Sequence, residues 1–460
     1  MTPKRDENAH FRTAHTYPAE LAMATHDGRI DATVSVPGSK SITNRALVLA
    51  ALASRESVCE LTGALQSEDT EVMVDCLTQL GFAVTADWPH GRIAFAKNTS
   101  GRIIPAKEAK LFVGNSGTTV RFLTAMLGLG QGRYELDGVA RMRERPIQDL
   151  LSALHDLGVN ATSQDGTGCP PVTIHADGWK TNRVAVRGSI SSQFLSGLLL
   201  ASPFAGRTID VVVTGELVSV PYVDMTLRML TSWGGHFQHL TSDNAYRVEP
   251  ISYTAANRPP LAYAIEPDAS SASYFFAAAA IHGGRVRVRN MPDIGVSLQG
   301  DVRFAQVLEK MGCAVRADGS DTVLRRDTGT LRGIDVDMND ISDTVMTLAS
   351  VACFAEGPTT IRNVAHIRHK ETDRIAAVAI ELRKFGVTVD EREDGLTIHP
   401  VPLASMTGCA VDTYNDHRMA MSFALIARKV PGTIIRNPAC VAKTYPGFWV
   451  DFERCIRTQI

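Results

Sequence analysis

The 460-residue sequence is 44% hydrophobic and 21% charged, with a formal net charge of -2. A chain this long exceeds what one hydrophobic core ordinarily serves, so two large domains are expected. The near-neutral balance argues against a nucleic-acid protein, whose basic face would show in the total. No uninterrupted apolar stretch reaches membrane-spanning length. The acids Asp6, Glu7, Glu20 and Asp27 argue against a signal or transit peptide, and residues 1–28 read as a partly disordered tail. None of the eight cysteines stands in a C-x-x-C pair, and several lie in apolar runs such as Val351-Ala352-Cys353-Phe354. Free buried thiols in a reducing compartment are therefore expected, and the protein is read as cytoplasmic, without membrane or nucleic-acid partners.

In chain order, the first predicted helix opens at Ser41-Ile42-Thr43-Asn44-Arg45 and continues through apolar residues 46–53. The same start, small polar residues followed by an apolar run, recurs at Ser116, Ser191, Ser270, Ser342 and Asn415, at spacings of 75, 75, 79, 72 and 73 residues. Between these starts lies an amphipathic helix that ends at Gly81, Gly158, Gly234, Gly312 and Gly386 in turn. Glycine there suits the left-handed residue that closes a helix. A sixth such helix begins at Phe448. The spacing predicts six copies of a roughly 75-residue β-α-β-α-β-β unit. The first helix of each copy is apolar on all sides, as at residues 47–52 and 275–280, so it belongs inside a domain, with sheets and amphipathic helices outside.

A helix N-terminus presents unpaired N–H groups and partial positive charge, and so binds phosphate or carboxylate. The first start carries Lys40, Ser41 and Arg45; the second Asn115, Gly117, Thr118 and Arg121; the third Ser191, Ser192 and Gln193; the sixth His417 and Arg418. Taken singly, Ser, Thr and Asn at such places are ordinary caps. Cations at several starts are different, because a Lys or Arg is disfavoured beside a positive helix end unless an anion lies between. Together they point to a ligand with at least two anionic groups. More charges gather at residues 368–374, where Lys370 and Arg374, at i and i+4, are expected on one helix face with Glu371 beside them. Residues 141–147 and Lys443 are similar, and a solvated salt-bridged loop is the ordinary reading of each. Gly38-Ser39-Lys40-Ser41 lacks the first glycine of a P-loop, and Gly128, Gly130 and Gly132 follow a helix rather than a strand. Arg368 and Lys370 beside His366 and His369 oppose a zinc site, so no metal is expected.

Seven strings carry a wider resemblance: residues 37–45 (PGSKSITNR), 114–118 (GNSGT), 141–147 (RMRERPI), 191–196 (SSQFLS), 268–274 (DASSASY), 370–374 (KETDR) and 415–420 (NDHRMA). In this order and spacing the sequence resembles the EPSP synthase family of enolpyruvyl transferases from about residue 33 to residue 452. The resemblance implies an inside-out α/β barrel: an α/β fold of two domains, each of three β-α-β-α-β-β units with buried helices. One domain would be discontinuous, residues 29–39 plus 267–460, and the other would be residues 40–266, with the active site in the interdomain cleft. The implied activity joins phosphoenolpyruvate to the 5-hydroxyl of shikimate 3-phosphate, with no metal or redox cofactor, in a monomer.

Carried over residue by residue, the resemblance assigns shikimate 3-phosphate to Lys40, Ser41, Arg45, Ser191, Ser192, Gln193, Ser219, Asp343, His366 and Lys370. It assigns phosphoenolpyruvate to Lys40, Asn115, Gly117, Arg141, Gln193, Arg374, Arg418 and Lys443. Asp343 and Glu371 would be the acid/base pair, with Lys370 close enough to share either duty. The sequence departs from the family at Phe122, where Pro is frequent, at Val220, where Lys is common, and at His366, where an Asn often contacts the shikimate. Two other readings remain open. A UDP-N-acetylglucosamine enolpyruvyl transferase shares the architecture, but many carry a Cys in the loop that here spans about residues 133–147 and has none. A non-catalytic phosphometabolite-binding protein could use the same fold; Asp343, Glu371 and Lys370 speak against it.

Overall fold

The structure is a computed structural model that describes residues 17–254 and 258–458. In chain order its helices are α1 (Lys40–Ala53), α2 (Glu68–Gln79), α3 (Gly117–Leu127), α4 (Gln148–Asp156), α5 (Ser192–Ala201), α6 (Val220–Ser232), α7 (Ala269–His282), α8 (Phe304–Lys310), α9 (Val345–Ala352), α10 (Arg374–Lys384), α11 (His417–Ala427) and α12 (Phe448–Arg457). The odd-numbered helices up to α11 are the apolar ones of the repeat. The even-numbered ones are amphipathic. After each of α2, α4, α6, α8 and α10 the expected glycine (81, 158, 234, 312, 386) has positive φ, between 78° and 110°. Only a residue without Cβ takes that conformation cheaply.

The chain divides into two compact units. The first holds Lys40–Leu217 and Tyr222–Ile265; the second holds the described residues up to Ser39, Val218–Pro221, and the chain from Glu266 onward. The short piece Val218–Pro221 therefore leaves the 40–266 span expected for one domain. It is tied into the second unit by the Ser219 N–H, which donates to Asn339 Oδ1 at 2.8 Å.

In the first unit α1, α3 and α5 pack on one another and are buried along nearly their whole length. Each repeat lays down one four-stranded sheet. In the third, Arg183–Arg187 runs parallel to Ile209–Thr214, as a helical crossover requires, and Ala245–Val248 and Phe237–Leu240 add antiparallel. In the second unit α7, α9 and α11 form the buried trio. Their polar contacts are hydroxyl pairs: Ser273 Oγ lies 3.2 Å from Thr347 Oγ1, which lies 3.4 Å from Ser422 Oγ. Small residues let these backbones approach, and the paired hydroxyls avoid the penalty of an unsatisfied buried group.

In both units the strand just before the chain leaves forms the edge of that unit's first sheet. Ala262–Ala264 pairs parallel with Cys59–Thr62, and Ile30–Val34 pairs parallel with Gly284–Val288. The sixth repeat is completed differently. No strand follows α12 among the described residues, and Glu20–Ala22 takes the antiparallel place beside Ile434–Arg436. Residues 17–28 thus belong to the fold, which corrects the reading of residues 1–28 as a tail; residues 1–16 lie outside the described residues. Among the described residues no helix is long and apolar enough to cross a membrane. The eight cysteines are free; six are buried, and Cys169 and Cys409 are half-buried.

Candidate active site

In the second unit a 3-10 turn, Asn339–Thr344, leads into α9 and carries Asp343. Three cations converge on that carboxylate. Lys370 Nζ donates to Oδ1 at 2.7 Å, Arg374 Nη1 to Oδ1 at 3.1 Å and Arg418 Nη2 to Oδ2 at 2.7 Å. Arg374 is almost wholly buried and uses its other nitrogens on Glu371 Oε2 at 2.9 Å and Asp416 Oδ2 at 2.8 Å. Asp416 in turn caps α11, accepting from the Arg418 N–H at 2.9 Å. A buried guanidinium is tolerable only with such partners, and removing one partner of a buried pair costs about 3–5 kcal/mol.

The sequence placed Lys370 and Arg374 on one helix face, and this is corrected. Asp373 caps α10 by accepting from the Ala376 N–H at 3.0 Å, so the helix begins at Arg374 and Lys370 lies in the loop before it. The two cations meet at Asp343 because the loop turns back, and helical spacing plays no part.

Burial alone would raise the Asp343 carboxyl, but Arg418, then Lys370 and Arg374, outweigh it and hold Asp343 well below the usual carboxylate range. Burial lowers the Lys370 ammonium, with Asp343 opposing. For Arg374 burial is overcome by Asp416, Glu371 and Asp343, which push it upward. His366 is driven down to about 3 by burial and by Lys370, so it is neutral across the physiological range. Its Nε2 lies 3.1 Å from Ser219 Oγ, and Ser219 sits at a φ of 54°, a conformation unusual for serine that the Asn339 contact holds. Lys443 is buried at the end of the 3-10 turn Pro438–Lys443.

In the first unit α3 starts at Gly117 behind the cap Ser116, whose hydroxyl accepts from the Thr119 N–H at 3.3 Å. A Cβ on Gly117 would lie 2.4 Å from Arg145 Nη2 and 2.9 Å from Arg121 Nη1. Only glycine lets two guanidinium groups close on this helix start. Arg145 donates to Asn115 O at 2.9 Å, and Arg121 to Gln193 Oε1 at 2.6 Å. Gln193 belongs to α5, capped by Ser191, which accepts from the Gln193 N–H at 3.3 Å; Ser192 is buried in the same turn.

The resemblance named Arg141 in the 141–147 string, and the structure gives it an ion pair with Glu144 at 2.7 Å; it also brings Arg145, which sequence reasoning did not name, to Gly117. A signal was present. Arg145 precedes Pro146, which bars the helical region, and its extended backbone (φ -87°, ψ 126°) swings it out of the turn that holds Arg141.

Lys40 opens α1 with Nζ 3.2 Å from Asp69 Oδ2. Ser41 follows it, and its carbonyl accepts from Arg45 Nη1 at 2.9 Å. Arg45 is buried and also donates to Thr226 Oγ1 at 2.7 Å, Tyr222 O at 3.0 Å and Ser196 Oγ at 3.3 Å. Its guanidinium lies 5.2 Å from the Phe122 ring, and burial lowers it to about 10. Phe122 thus packs beneath a cation in an unbroken helix, and Val220 is the half-exposed first residue of α6. The argument that cations at helix starts need an anion holds, but here protein carboxylates supply it: Asp69 for Lys40 and Asp343 for Arg418.

The model of the family described as EPSP synthase (3-phosphoshikimate 1-carboxyvinyltransferase) matches residues 24–452. The chain belongs to the EPSP synthase family. A 3-phosphoshikimate 1-carboxyvinyltransferase of Nostoc punctiforme is 47% identical over 424 residues, covering 92% of this chain and 96% of that protein. The one of Nitrosomonas europaea is 44% identical over 436 residues, covering 94% and 98%. An EPSP synthase structure from Acinetobacter baumannii matches with a TM-score of 0.76 at 25% identity, over 95% of this chain and 98% of that one. The enolpyruvyl transferase NikO from Streptomyces tendae shares the fold, with a TM-score of 0.71 at 17% identity over the same shares of the two chains. The α/β fold with buried helices is thus that of EPSP synthase, as the resemblance implied, and the repeat predicted its units.

Proposed function

We propose that the chain transfers the enolpyruvyl group of phosphoenolpyruvate to the 5-hydroxyl of shikimate 3-phosphate, releasing phosphate. The observation that carries this reading is the Asp343 carboxylate, held ionised under Lys370, Arg374 and Arg418 with Glu371 on the same arginine. Asp343 takes the 5-hydroxyl proton as the oxygen attacks C2, and Glu371 delivers a proton to the methylene carbon. Lys370, 2.7 Å from Asp343, can relay either proton. The tetrahedral ketal phosphate then loses phosphate and a methyl proton to restore the vinyl ether, with acid and base exchanging roles.

Arg374, Arg418 and Lys443, with Lys40, Asn115, Gly117, Arg141 and Gln193, and with Arg121 and Arg145 beside Gly117, offset the charge of phosphoenolpyruvate. Ser41, Ser191, Ser192, Ser219, His366 and Lys370 hold shikimate 3-phosphate, with Arg45 fixing the start of α1. These steps use no metal or redox cofactor. Free buried thiols suit the cytoplasm.

A phosphate-release assay tests the proposal, with shikimate 3-phosphate or UDP-N-acetylglucosamine as acceptor. Release with the first alone is expected, and release only with the second would overturn it. Loss of release in Asp343→Ala and Glu371→Ala separates an enzyme from a binder.

A further inference from the structure

Glu381 is a fully buried acid on the amphipathic helix α10, and the steps above leave it unused. It follows Arg374 by two turns, which puts both side chains on one face of the helix. Both reach the loop 412–416 that leads into α11. Arg374 donates to Asp416 Oδ2 at 2.8 Å. Glu381 Oε2 accepts from the Asp412 N–H at 3.0 Å, and its Oε1 accepts from the Tyr414 hydroxyl at 2.7 Å. Lys384 Nζ lies 2.8 Å from Glu381 Oε2 and donates to Asp412 Oδ2 at 2.7 Å. A buried carboxylate with donors on both oxygens is satisfied, and taking a donor away is costly.

Between these two holds the backbone is strained. Tyr414 and Asn415 both have a φ of 54°, in the left-handed region that a bulky residue such as tyrosine rarely enters. Such strain persists only where the surroundings over-determine it. The far side of the loop is fixed as well: Thr413 Oγ1 donates to Arg436 O at 3.0 Å, and Asn437 Nδ2 to Asn415 Oδ1 at 3.2 Å. Immediately after the left-handed pair, Asp416 caps α11 and meets Arg374, and Arg418 reaches Asp343 at 2.7 Å. Burial, then the hydrogen bond to Glu381, raises the Tyr414 hydroxyl above its ordinary value, so it stays a donor.

We propose that Glu381 is a positioning residue for the start of α11: by holding the Asp412 N–H and the Tyr414 hydroxyl it keeps Tyr414 and Asn415 left-handed, and so sets Asp416 and Arg418 against Arg374 and Asp343. It touches no reacting atom. The inference rests on the proposed role of Arg374 and Arg418 in binding phosphoenolpyruvate.

Glu381→Gln tests it, since the amide keeps the shape but has one oxygen for the three donors. The KM for phosphoenolpyruvate should rise about tenfold with kcat within about threefold of wild type, because the lost bonds orient a binding group. The KM for shikimate 3-phosphate should not move. Glycine takes a positive φ without steric cost, so in an Asn415→Gly background the same step should raise the KM less than about threefold. An unchanged KM for phosphoenolpyruvate, equal shifts of both KM values, or the same rise in both backgrounds would overturn the proposal; a merely structural role would give one of these. Should Glu381→Gln fail to fold, Tyr414→Phe carries the test, with a rise of about threefold that Asn415→Gly relieves, and an unmoved KM refutes the idea. Hydrogen exchange of the ligand-free protein needs no turnover: in Glu381→Gln the amides of residues 414–418 should exchange about tenfold faster while those of α7 keep their rates. Unchanged rates at 414–418 would also overturn it. If wild type releases no phosphate with shikimate 3-phosphate, the functional reading fails, and the exchange still decides the role of Glu381.

Discussion

In the first unit α3 and α5 begin on serine caps, and what gathers there is neutral hydroxyl, amide and two guanidinium groups around Gly117. In the second unit α7, α10 and α11 begin on aspartate caps, and carboxylates are threaded between the cations. The repeat is the same; the cap is different. A serine cap satisfies an N–H and leaves the positive helix end to a ligand. An aspartate cap such as Asp416 satisfies an N–H and also holds an arginine. On the proposed function, one scaffold serves as an anion cradle in one unit and as a proton-handling cluster in the other.

The sharpest way to break this contrast is at Asp343. Asp343→Asn keeps the shape but removes the charge that three cations share, and general acid–base work is then lost. Phosphate release should fall roughly 10³-fold. A rate within tenfold of wild type would mean that the second unit handles no proton at this residue. In the cradle, Arg145→Gln should raise the KM for phosphoenolpyruvate about 10- to 100-fold, since a hydrogen bond to a charged group is worth about 1.5–3 kcal/mol. Arg141→Gln breaks the ion pair with Glu144 and, on the proposed assignment of Arg141 to phosphoenolpyruvate, should raise that KM about tenfold. An unchanged KM in this variant would take Arg141 out of the cradle.

Much of this was readable from sequence because helix starts are local. An apolar run behind a small polar triplet, repeated six times, predicts buried helices whatever the sheets do. The left-handed glycines were legible for the same reason. What sequence missed is set by chain direction over one or two residues. Arg141 and Arg145 look alike in a charged string, and only the extended residue before Pro146 tells them apart. Lys370 and Arg374 have helical spacing, yet the cap at Asp373 starts the helix too late for it to apply. The strand Glu20–Ala22 was missed because its partner lies more than 400 residues away.

The comparison extends to stability in acid. His282, His366 and His417 are buried in the second unit, whereas the first unit's described histidines (90, 155, 175, 236 and 239) are exposed. His282 is pushed down to about 3 by burial, then by Lys429, His26 and Arg428, and His366 is likewise near 3. A folded-state value below the unfolded one, about 6.5, means that unfolding takes up protons as pH falls through that range. The stabilisation is complete above about pH 6.5 and is lost steadily down toward pH 3, by roughly 1.4 kcal/mol per pH unit for each histidine. Hydrogen exchange corrected for intrinsic rates should therefore show α7 and α9 losing protection between pH 7 and pH 5 while α3 and α5 hold theirs. His282→Phe keeps a ring at the position, 5.3 Å from the His26 ring, and removes one titrating group. It should take away part of that acid loss. An unchanged slope in the variant, or equal loss in both trios, would show that acid acts elsewhere and that the two units differ only at their helix starts.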